Sequence, residues 1–210
     1  MKTLALDLST KATGVAVFDD DKLIHYERIS STAPDIYDRM IEMCVNVEQI
    51  IRDYNIDRAA IEDVPIGEKS VNFDVAHKLC VLQGMILHVF KCNNINFTIM
   101  MPSRWRSLIG LNCSEYTCSE CGSKFLIYSE NYRGTCPVCN RQKSNQYKRH
   151  ALNTRDLLKE RAVNKVNDLY EYNFVYYKTE SKNKISNDNE AEAICLGLAY
   201  IKWMGDCGNV

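Results

Sequence analysis

Two groups of residues in this sequence have the types and spacing to do chemistry: paired cysteines, and acids that end apolar segments. Cys118 and Cys121 form one C-x-x-C pair, and Cys136 and Cys139 form a second pair farther along the chain. Each pair makes a tight turn with two thiolates for one ion, and two pairs complete a tetrahedral sulfur site. Because four thiolates close the coordination sphere, the spacing predicts a structural zinc site rather than a catalytic or redox one.

The segment around these cysteines differs in composition from the rest of the chain. From about Cys113 to Arg141 it is rich in Cys, Ser and Gly, and the helical and strand patterning stops. This predicts an inserted zinc ribbon. Two roles for it are open: it stabilises an insertion too small to have a core, or it presents Lys124, Tyr128, Tyr132 and Arg133 to nucleic acid.

The second group is a set of four carboxylates. Asp7 ends the apolar segment that opens the chain, and Glu62 ends a later one, where an acid is costly unless it is solvated, paired or bound to metal. Asp188 and Glu192 are four residues apart and share one helix face. Singly, Asp188 also fits a helix cap and Glu62 the border of a turn. Together the four oxygen ligands suit two Mg²⁺ ions that activate water and stabilise a departing phosphate-ester oxygen.

The elements that must position these acids follow from hydrophobic periodicity. A meander of three strands opens the chain, and Ser31 or Thr32 caps the helix that follows, with Pro34 in its first turn. Strands and helices then alternate, which predicts a mixed sheet with helices on both faces. The predicted elements are strands Lys2–Leu8, Thr13–Phe18, Lys22–Ile29, Arg58–Glu62 and Ile95–Met100, with helices at Ile36–Tyr54, Val71–Val89, Thr154–Tyr170 and from Asp188 onward.

Composition bounds the class of protein. At 210 residues, with 46% hydrophobic and 25% charged residues, the chain can build one core and a small accessory module. We find no apolar run of membrane-span length and no signal-peptide pattern, and ten cysteines without an export signal indicate a reducing cytoplasm. The net charge of -1 does not indicate a polyanion partner, but positions 141–165 hold eight Lys or Arg against two acids.

The acidic motifs resemble those of the RuvC-like Holliday junction resolvases of the RNase H-like superfamily. Asp7 followed by Thr13-Gly14 resembles the first motif of that family, and Glu62 at the end of an apolar strand resembles the second. The run from Asp188 to Ile194 resembles the third, which has the form D-D-x-A-(D/E)-A-(I/L). The likeness is greatest to resolvases of bacteriophages and mobile elements. It departs at Asn189, where the family has a second acid, which puts the fourth metal ligand in doubt.

The resemblance implies an α/β fold: an RNase H-like five-stranded mixed sheet formed by residues 1–112 and 142–210, with the zinc ribbon at 113–141. It also implies a cytoplasmic, Mg²⁺-dependent endonuclease (Mn²⁺ is a possible substitute) that acts as a homodimer on four-way DNA junctions and leaves 5′-phosphate ends. Its metal ligands and catalytic residues are then Asp7, Glu62, Asp188 and Glu192. The basic residues assigned to DNA are Arg104, Arg106, Lys124, Arg133, Lys148, Arg149, Arg155 and Lys159.

Three alternatives stay open at this point. A nuclease of this kind can act on flaps, forks or structured RNA instead of junctions. The chain can also be an inactive nucleic-acid-binding protein with a zinc ribbon, although only Asn189 departs from the acidic pattern. An ATPase of the actin-like or sugar-kinase class would need a second phosphate loop and a second similar domain, for which the chain is too short.

Overall fold

The computed structural model describes residues 1–64, 73–128, 135–140, 147–179 and 184–207, with backbone only at 147–151 and 207. The strands are β1 (Lys2–Asp7), β2 (Ala12–Asp19), β3 (Lys22–Ser30), β4 (Arg58–Glu62), β5 (Asn96–Met100), β6 (Ser114–Cys118), β7 (Lys124–Ile127) and β8 (Tyr147–Ala151). The helices are α1 (Ile36–Tyr54), α2 (Phe73–Cys92), α3 (Pro102–Leu108), α4 (Arg155–Tyr170) and α5 (Asp188–Cys207).

The main sheet has five strands in the order β3-β2-β1-β4-β5. β1 and β2 are antiparallel, as are β2 and β3, whereas β1, β4 and β5 run parallel. The parallel pairs need helical crossovers, which α1 and α2 supply. The predicted mixed five-stranded sheet is confirmed.

Side chains that alternate along the strands fill two separate cores, one on each face of the sheet. Leu4, Leu6 and Ile61 point to the face covered by α1 and α2. Ala5 and Ala60 point to the other face, which is covered by α3, α4 and α5. Small residues on that second face allow α5 to lie close to the strands.

Two glycines bring α5 against β2. A Cβ on Gly14 would lie 1.9 Å from the backbone oxygen of Asn189, and one on Gly197 would lie 2.3 Å from the ring of Phe18. Both distances are far below ordinary contact, so only glycine allows this separation of helix and strand. The start of α5 is therefore fixed beside the end of β1, because Gly14 pairs with Asp7 in the β1–β2 register.

The start of α1 differs from the sequence prediction. Its N-cap is Asp35, whose carboxylate accepts hydrogen bonds from the backbone N–H groups of Tyr37 and Asp38. The prediction of Ser31 or Thr32 as the cap is therefore wrong, and Pro34 precedes the helix. One carboxylate thus accepts from two N–H groups of the first turn that have no partner within the helix, which is the role of an N-cap.

α2 also departs from an expectation. By length and composition alone, this helix is long and apolar enough to cross a membrane, so the expectation that no segment reaches that length is wrong. Core helices meet the same criterion, and α2 buries Leu82, Ile86 and Phe90 against the sheet. Its other face carries partly buried and exposed apolar residues.

The cysteine-rich segment forms a small antiparallel sheet in the order β7-β6-β8. The rings of Tyr116 and Phe125 stack across β6 and β7 with centroids 6.0 Å apart. This sheet also takes in β8, beyond position 141. The division of the chain at 113 and 141 stays a prediction.

Candidate active site

Asp7 and Glu62 are the last residues of two neighbouring parallel strands. β1 and β4 pair from Thr3 with Arg58 to Leu6 with Ile61, so both acids emerge at the same edge of the sheet. The strands are apolar up to that point, and their carboxyl ends meet because the strands are parallel. The structure thus brings together the two acids that end strands, as the sequence predicts.

The first two turns of α5 supply the other two predicted acids. Asp188 and Glu192 are 6% and 5% exposed, which is rare for carboxylates and requires partners. Because they are four residues apart, both lie on the helix face toward the strand ends. The contact of Gly14 with Asn189 fixes the height of this helix beside Asp7.

Two basic side chains lie among the carboxylates. The guanidinium nitrogen Nη2 of Arg106 is 2.9 Å from Glu192 Oε1 and 3.4 Å from Glu62 Oε1. Lys159 Nζ contacts Asp188 Oδ2 and lies 3.9 Å from Glu192 Oε2. Glu192 is thus shared between the two cations. We call Asp7, Glu62, Asp188, Glu192, Arg106 and Lys159 the carboxylate cluster.

Trp105 contacts two members of the cluster, Glu62 and Arg106. It is fully buried, and its indole N–H donates to Glu62 Oε2 at 3.1 Å. The guanidinium of Arg106 lies over the Trp105 ring, 4.6 Å from its centroid. Trp105 is therefore an anchor in the core rather than a stacking platform for DNA.

Burial and mutual repulsion raise the affinity of the strand-end acids for protons. Burial raises the pKa of Asp7 well above its ordinary value, and the charges of Glu192 and Glu62 raise it further. Burial also raises the pKa of Glu62 to about 7, although Arg106 works in the opposite direction. Acids with raised pKa values in a crowded site are typical of positions that bind a cation or exchange a proton.

The donor set fits a hard divalent cation. Carboxylate oxygens are the ligands that Mg²⁺ prefers, and Asp7, Glu62, Asp188 and Glu192 offer eight of them at one edge of the sheet. Among the described residues, only the cysteines bring three or more ligand atoms within 4.8 Å of one another. The carboxylates are more widely spaced, with Arg106 and Lys159 placed between them.

Asn189 and Glu190, the two residues after Asp188, are not members of the carboxylate cluster. α5 begins at Asp188, as predicted, so Glu190 lies on a different helix face. Asn187 Nδ2 donates to Glu190 Oε1 at 3.5 Å, and burial raises the pKa of Glu190. Asn189 instead contributes its backbone to the contact with Gly14.

The four predicted cysteines form one compact cluster. Their sulfur atoms all lie within 4.8 Å of one another, with Cys118 to Cys139 at 3.8 Å and Cys121 to Cys136 at 3.7 Å. A tetrahedral zinc site with Zn–S bonds of about 2.3 Å has sulfur atoms about 3.8 Å apart. Ser123 Oγ contacts Cys136 Sγ at 3.3 Å and lowers the pKa of that thiol to about 6. This cluster can bind zinc.

The residues predicted to contact DNA differ in exposure, and the side chains of some of them are not described. Arg106 and Lys159 are largely buried in the carboxylate cluster, a position that no spacing rule indicated. Arg104 and Arg155 are exposed, and the Arg104 guanidinium lies over the Trp203 ring, while Lys124 pairs with Glu115 at 3.2 Å. Lys148 and Arg149 lie on β8, where only the backbone is described, and Tyr132 and Arg133 lie outside the described residues. Their contacts with DNA stay predictions.

The fold is similar to that of solved Holliday junction resolvases. Thermus thermophilus RuvC in complex with a Holliday junction substrate matches with a TM-score of 0.61 over 98% of this chain and 96% of its own, at 10% identity. A second structure of Thermus thermophilus RuvC matches with a TM-score of 0.57 over 99% of this chain and 97% of its own, at 11% identity. The chain has the RNase H-like fold of RuvC.

A eukaryotic relative of this fold is also similar. The yeast mitochondrial Holliday junction resolvase Ydc2 matches with a TM-score of 0.53 over 99% of this chain and 80% of its own, at 12% identity. No protein-family model matches the sequence, and no curated protein is significantly similar to it. At these identities the RuvC-like structures establish the fold alone, and the special likeness to bacteriophage resolvases stays a prediction.

Proposed function

We propose that this protein is a metal-dependent endonuclease that resolves four-way DNA junctions. One observation carries the proposal: in a RuvC-like fold, two acids end the central parallel strands and two more begin the helix beside them. The same edge of the sheet holds acids whose pKa values are raised by burial and by each other. That combination suits a site for divalent cations.

The residues have separable roles in this proposal. Asp7, Glu62, Asp188 and Glu192 would hold Mg²⁺ or Mn²⁺. A bound divalent ion supplies a Lewis acid that lowers the pKa of water and stabilises charge on the leaving oxygen. Trp105 orients Glu62 through its N–H, and the cations Arg106 and Lys159 limit repulsion among the carboxylates.

DNA is held in this proposal by exposed basic side chains outside the cluster. Arg104 and Arg155 lie at the surface near the cluster, on the helices that carry Arg106 and Lys159. Such contacts position a duplex through its phosphates without reading its sequence. The four-cysteine ribbon, with exposed Leu126 and Tyr128, is the second proposed contact surface.

Resolution of a four-way junction cuts two opposite strands of equivalent structure, so paired cutting needs two active sites. We place a second copy of the chain against the outer face of α1 and α2. Tyr37, Ile41 and Val45 form a stripe there at a spacing of four residues, and they are 50%, 52% and 60% exposed. A shallow apolar pocket between the same helices is lined by Cys44, Val81, Gly84, Met85, His88 and Val89. Exposed apolar surface of this kind marks interfaces.

The experiment that tests the function uses Mg²⁺ and four matched DNAs: a mobile four-way junction, a fork, a flap and a linear duplex. Paired, symmetric nicks in the junction alone are the expected result. Asp7→Asn is expected to bind the junction with unchanged affinity and to leave it uncut. Asp168→Asn is the matched control, because Asp168 is an exposed acid on α4.

The other outcomes of this assay are equally informative. Equal cutting of forks or flaps would retain the nuclease and contradict the preference for junctions. Cutting by Asp7→Asn at the wild-type rate would contradict the assignment of Asp7 as a metal ligand. If no DNA is cut and structured RNA is also intact, the alternative of an inactive nucleic-acid-binding protein replaces the proposal.

A further inference from the structure

The cysteine ribbon enters and leaves the nuclease fold through two adjacent segments, which we call the ribbon root: residues 111–114 and 151–153. Backbone hydrogen bonds of β6 with β8 continue into the root, where Leu152 N donates to Cys113 O at 2.9 Å. The side-chain oxygen of Asn153 accepts from Cys113 N at 2.8 Å. Leu111, Cys113 and Ser114 are 3%, 1% and 1% exposed, so the first segment of the root is buried, and Leu152 and Asn153 of the second segment are half-buried.

One guanidinium joins both segments of the root to α4. Arg161 Nη1 donates to Leu111 O at 3.1 Å and to Asn153 Oδ1 at 3.2 Å, and Arg161 Nη2 donates to Leu152 O at 2.8 Å. The same group lies 5.9 Å from the ring centroid of Tyr128, a residue of the ribbon itself. Arg161 belongs to the basic run at positions 141–165, but its donors are engaged by protein.

The elements that carry the ribbon are also the elements that carry the cations of the carboxylate cluster. Lys159 lies two residues before Arg161 on α4 and contacts Asp188 and Glu192. On the other side, α3 carries Arg106 and leads through residues 109–113 into β6. Asn112 Nδ2 donates to Ser103 O at 3.1 Å, which ties the root to α3 as well. The ribbon root is therefore hydrogen-bonded to both helices that carry cations of the carboxylate cluster.

We propose that Arg161 is a positioning residue that fixes the four-cysteine ribbon relative to the carboxylate cluster. A bidentate guanidinium holds several carbonyl oxygens in one plane, which a lysine cannot do. DNA held by the ribbon then meets the carboxylates at a set distance, and the ribbon determines which phosphodiester bond is cut. This last step rests on the proposed nuclease function, whereas the fixed position of the ribbon does not.

The position of the ribbon is measured without DNA, by the distance between two spin labels. Ketone-bearing amino acids replace Leu126 on β7 and Asp168 on α4, both exposed, and an excess of unlabelled chain excludes distances between copies. The wild-type protein is expected to give a single narrow distance distribution. In Arg161→Gln the narrow peak is lost while the zinc content is unchanged. Arg161→Lys restores it in part, and Arg52→Gln, an exposed charge on α1, leaves it as in wild type.

A broad distribution in the wild type, or a narrow one in Arg161→Gln, would overturn the proposal. Arg161→Lys keeps the charge but cannot hold several oxygens in one plane, so it tests the same contact if Arg161→Gln does not fold. Its distribution is expected to be broader than in the wild type. An unchanged peak in this variant overturns the proposal in that case.

Mapping of cut positions on a junction with a fixed branch point tests the functional step. The wild type is expected to cut at one set of bonds, and Arg161→Gln at several neighbouring bonds. The same sharp cuts in both proteins would contradict the role of the ribbon in choosing the bond. If the wild type cuts nothing, the nuclease proposal fails, and the spin-label distances still decide whether Arg161 fixes the ribbon.

Discussion

Gly14 lies against the backbone of Asn189, so close that a methyl group on Gly14 would be 1.9 Å from the Asn189 carbonyl oxygen. Gly14 is also the residue that pairs with Asp7 across β1 and β2. The contact therefore sets the distance between the end of β1 and the start of α5, which carry three of the four predicted metal ligands. This close contact explains why the residue after Thr13 is a glycine.

Gly14→Ala is expected to push α5 away from β2, because the clash is with backbone and no rotamer change relieves it. Overpacking of this kind costs about 1–3 kcal/mol of unfolding free energy. Affinity for Mn²⁺ at the carboxylates is expected to fall with it. Chemical denaturation and Mn²⁺ titration measure the two effects. Gly205→Ala, in the same helix with open space at its Cβ, is the control, and equal effects of both variants would contradict the account.

Lys159 and Arg155 are both basic residues of α4, but we expect their variants to differ in kind. Lys159 is 14% exposed and contacts two carboxylates, so Lys159→Met leaves buried charge without a partner. Loss of one partner of a buried pair costs roughly 3–5 kcal/mol. Chelator-treated Lys159→Met is therefore expected to unfold more easily than the wild type, and Mg²⁺ is expected to offset the loss.

Arg155→Gln, at an exposed position, is expected to leave the unfolding free energy unchanged and to weaken junction binding. The slope of log affinity against log salt would fall by about one, the value for one phosphate contact. Denaturation and binding measured in parallel on both variants separate the two roles. Weaker DNA binding without loss of stability in Lys159→Met would show that Lys159 is a phosphate contact instead.

The raised pKa of Glu62 predicts a pH dependence of stability in the chelator-treated protein. The pKa of Glu62 rises from 4.5 to about 7 on folding, so the folded state keeps a proton that the unfolded state loses between these values. Stability from this group is then present below pH 4.5 and is lost as the pH rises to about 7. Asp7 contributes in the same direction.

Denaturation of the wild type and Glu62→Gln from pH 4.5 to 8 measures this contribution together with the effect of the Glu62 charge on Asp7. The stability of the wild type relative to Glu62→Gln is expected to decline as the pH rises. Mg²⁺ affinity is expected to rise over the same range, since the metal competes with protons for the carboxylates. A difference that is constant with pH would contradict the raised pKa.

The cysteine cluster is expected to hold one zinc ion that stabilises the ribbon. Cys118→Ser removes a buried ligand, so zinc content and melting temperature are both expected to fall. Elemental analysis and thermal unfolding measure these changes. Cys92→Ser is the control, because Cys92 is an exposed cysteine of α2 outside the cluster. Unchanged zinc content and melting temperature in Cys118→Ser would show that the cluster is not a zinc site.

The proposed dimer depends on the apolar stripe of α1. Ile41→Glu places a charge at the centre of the stripe, so sedimentation is expected to change from a dimer to a monomer. Single nicks would then replace paired cuts in a junction. Ile24→Glu, on β3 and 38% exposed, is the matched control. Sedimentation of the wild type as a monomer would contradict the dimer, and an Ile41→Glu protein that stays dimeric would place the interface elsewhere.

The sequence predicts the sheet and the convergence of the acids because both depend on local patterns. Apolar segments of strand length end at Asp7 and Glu62, and a helical repeat begins at Asp188, so parallel pairing brings these ends together. The cysteines of the ribbon are predictable for the same reason, since two C-x-x-C pairs define a chelating geometry wherever they lie.

The partners of the acids follow from long-range packing, which local patterns do not contain. The sequence analysis assigns Arg106 and Lys159 to DNA, and only the docking of α3 and α4 on α5 brings them to the carboxylates. Arg161 is similar, because its acceptors are carbonyl groups of another segment. The cap of α1 is a second example. Ser31, Thr32 and Asp35 all have side chains that can cap a helix, and the local sequence does not determine which of them does so.

The most direct test of the central claim uses a supercoiled plasmid that extrudes a cruciform. A single nick relaxes the plasmid and reabsorbs the cruciform, so linear product forms only if both strands are cut across the junction before it is lost. With Mg²⁺, the wild type is expected to give linear plasmid with hairpin ends whose nicks DNA ligase seals without further processing, and Asp7→Asn none. Nicked circles alone, or equal linear product from a plasmid without the inverted repeat, would contradict a junction-resolving nuclease.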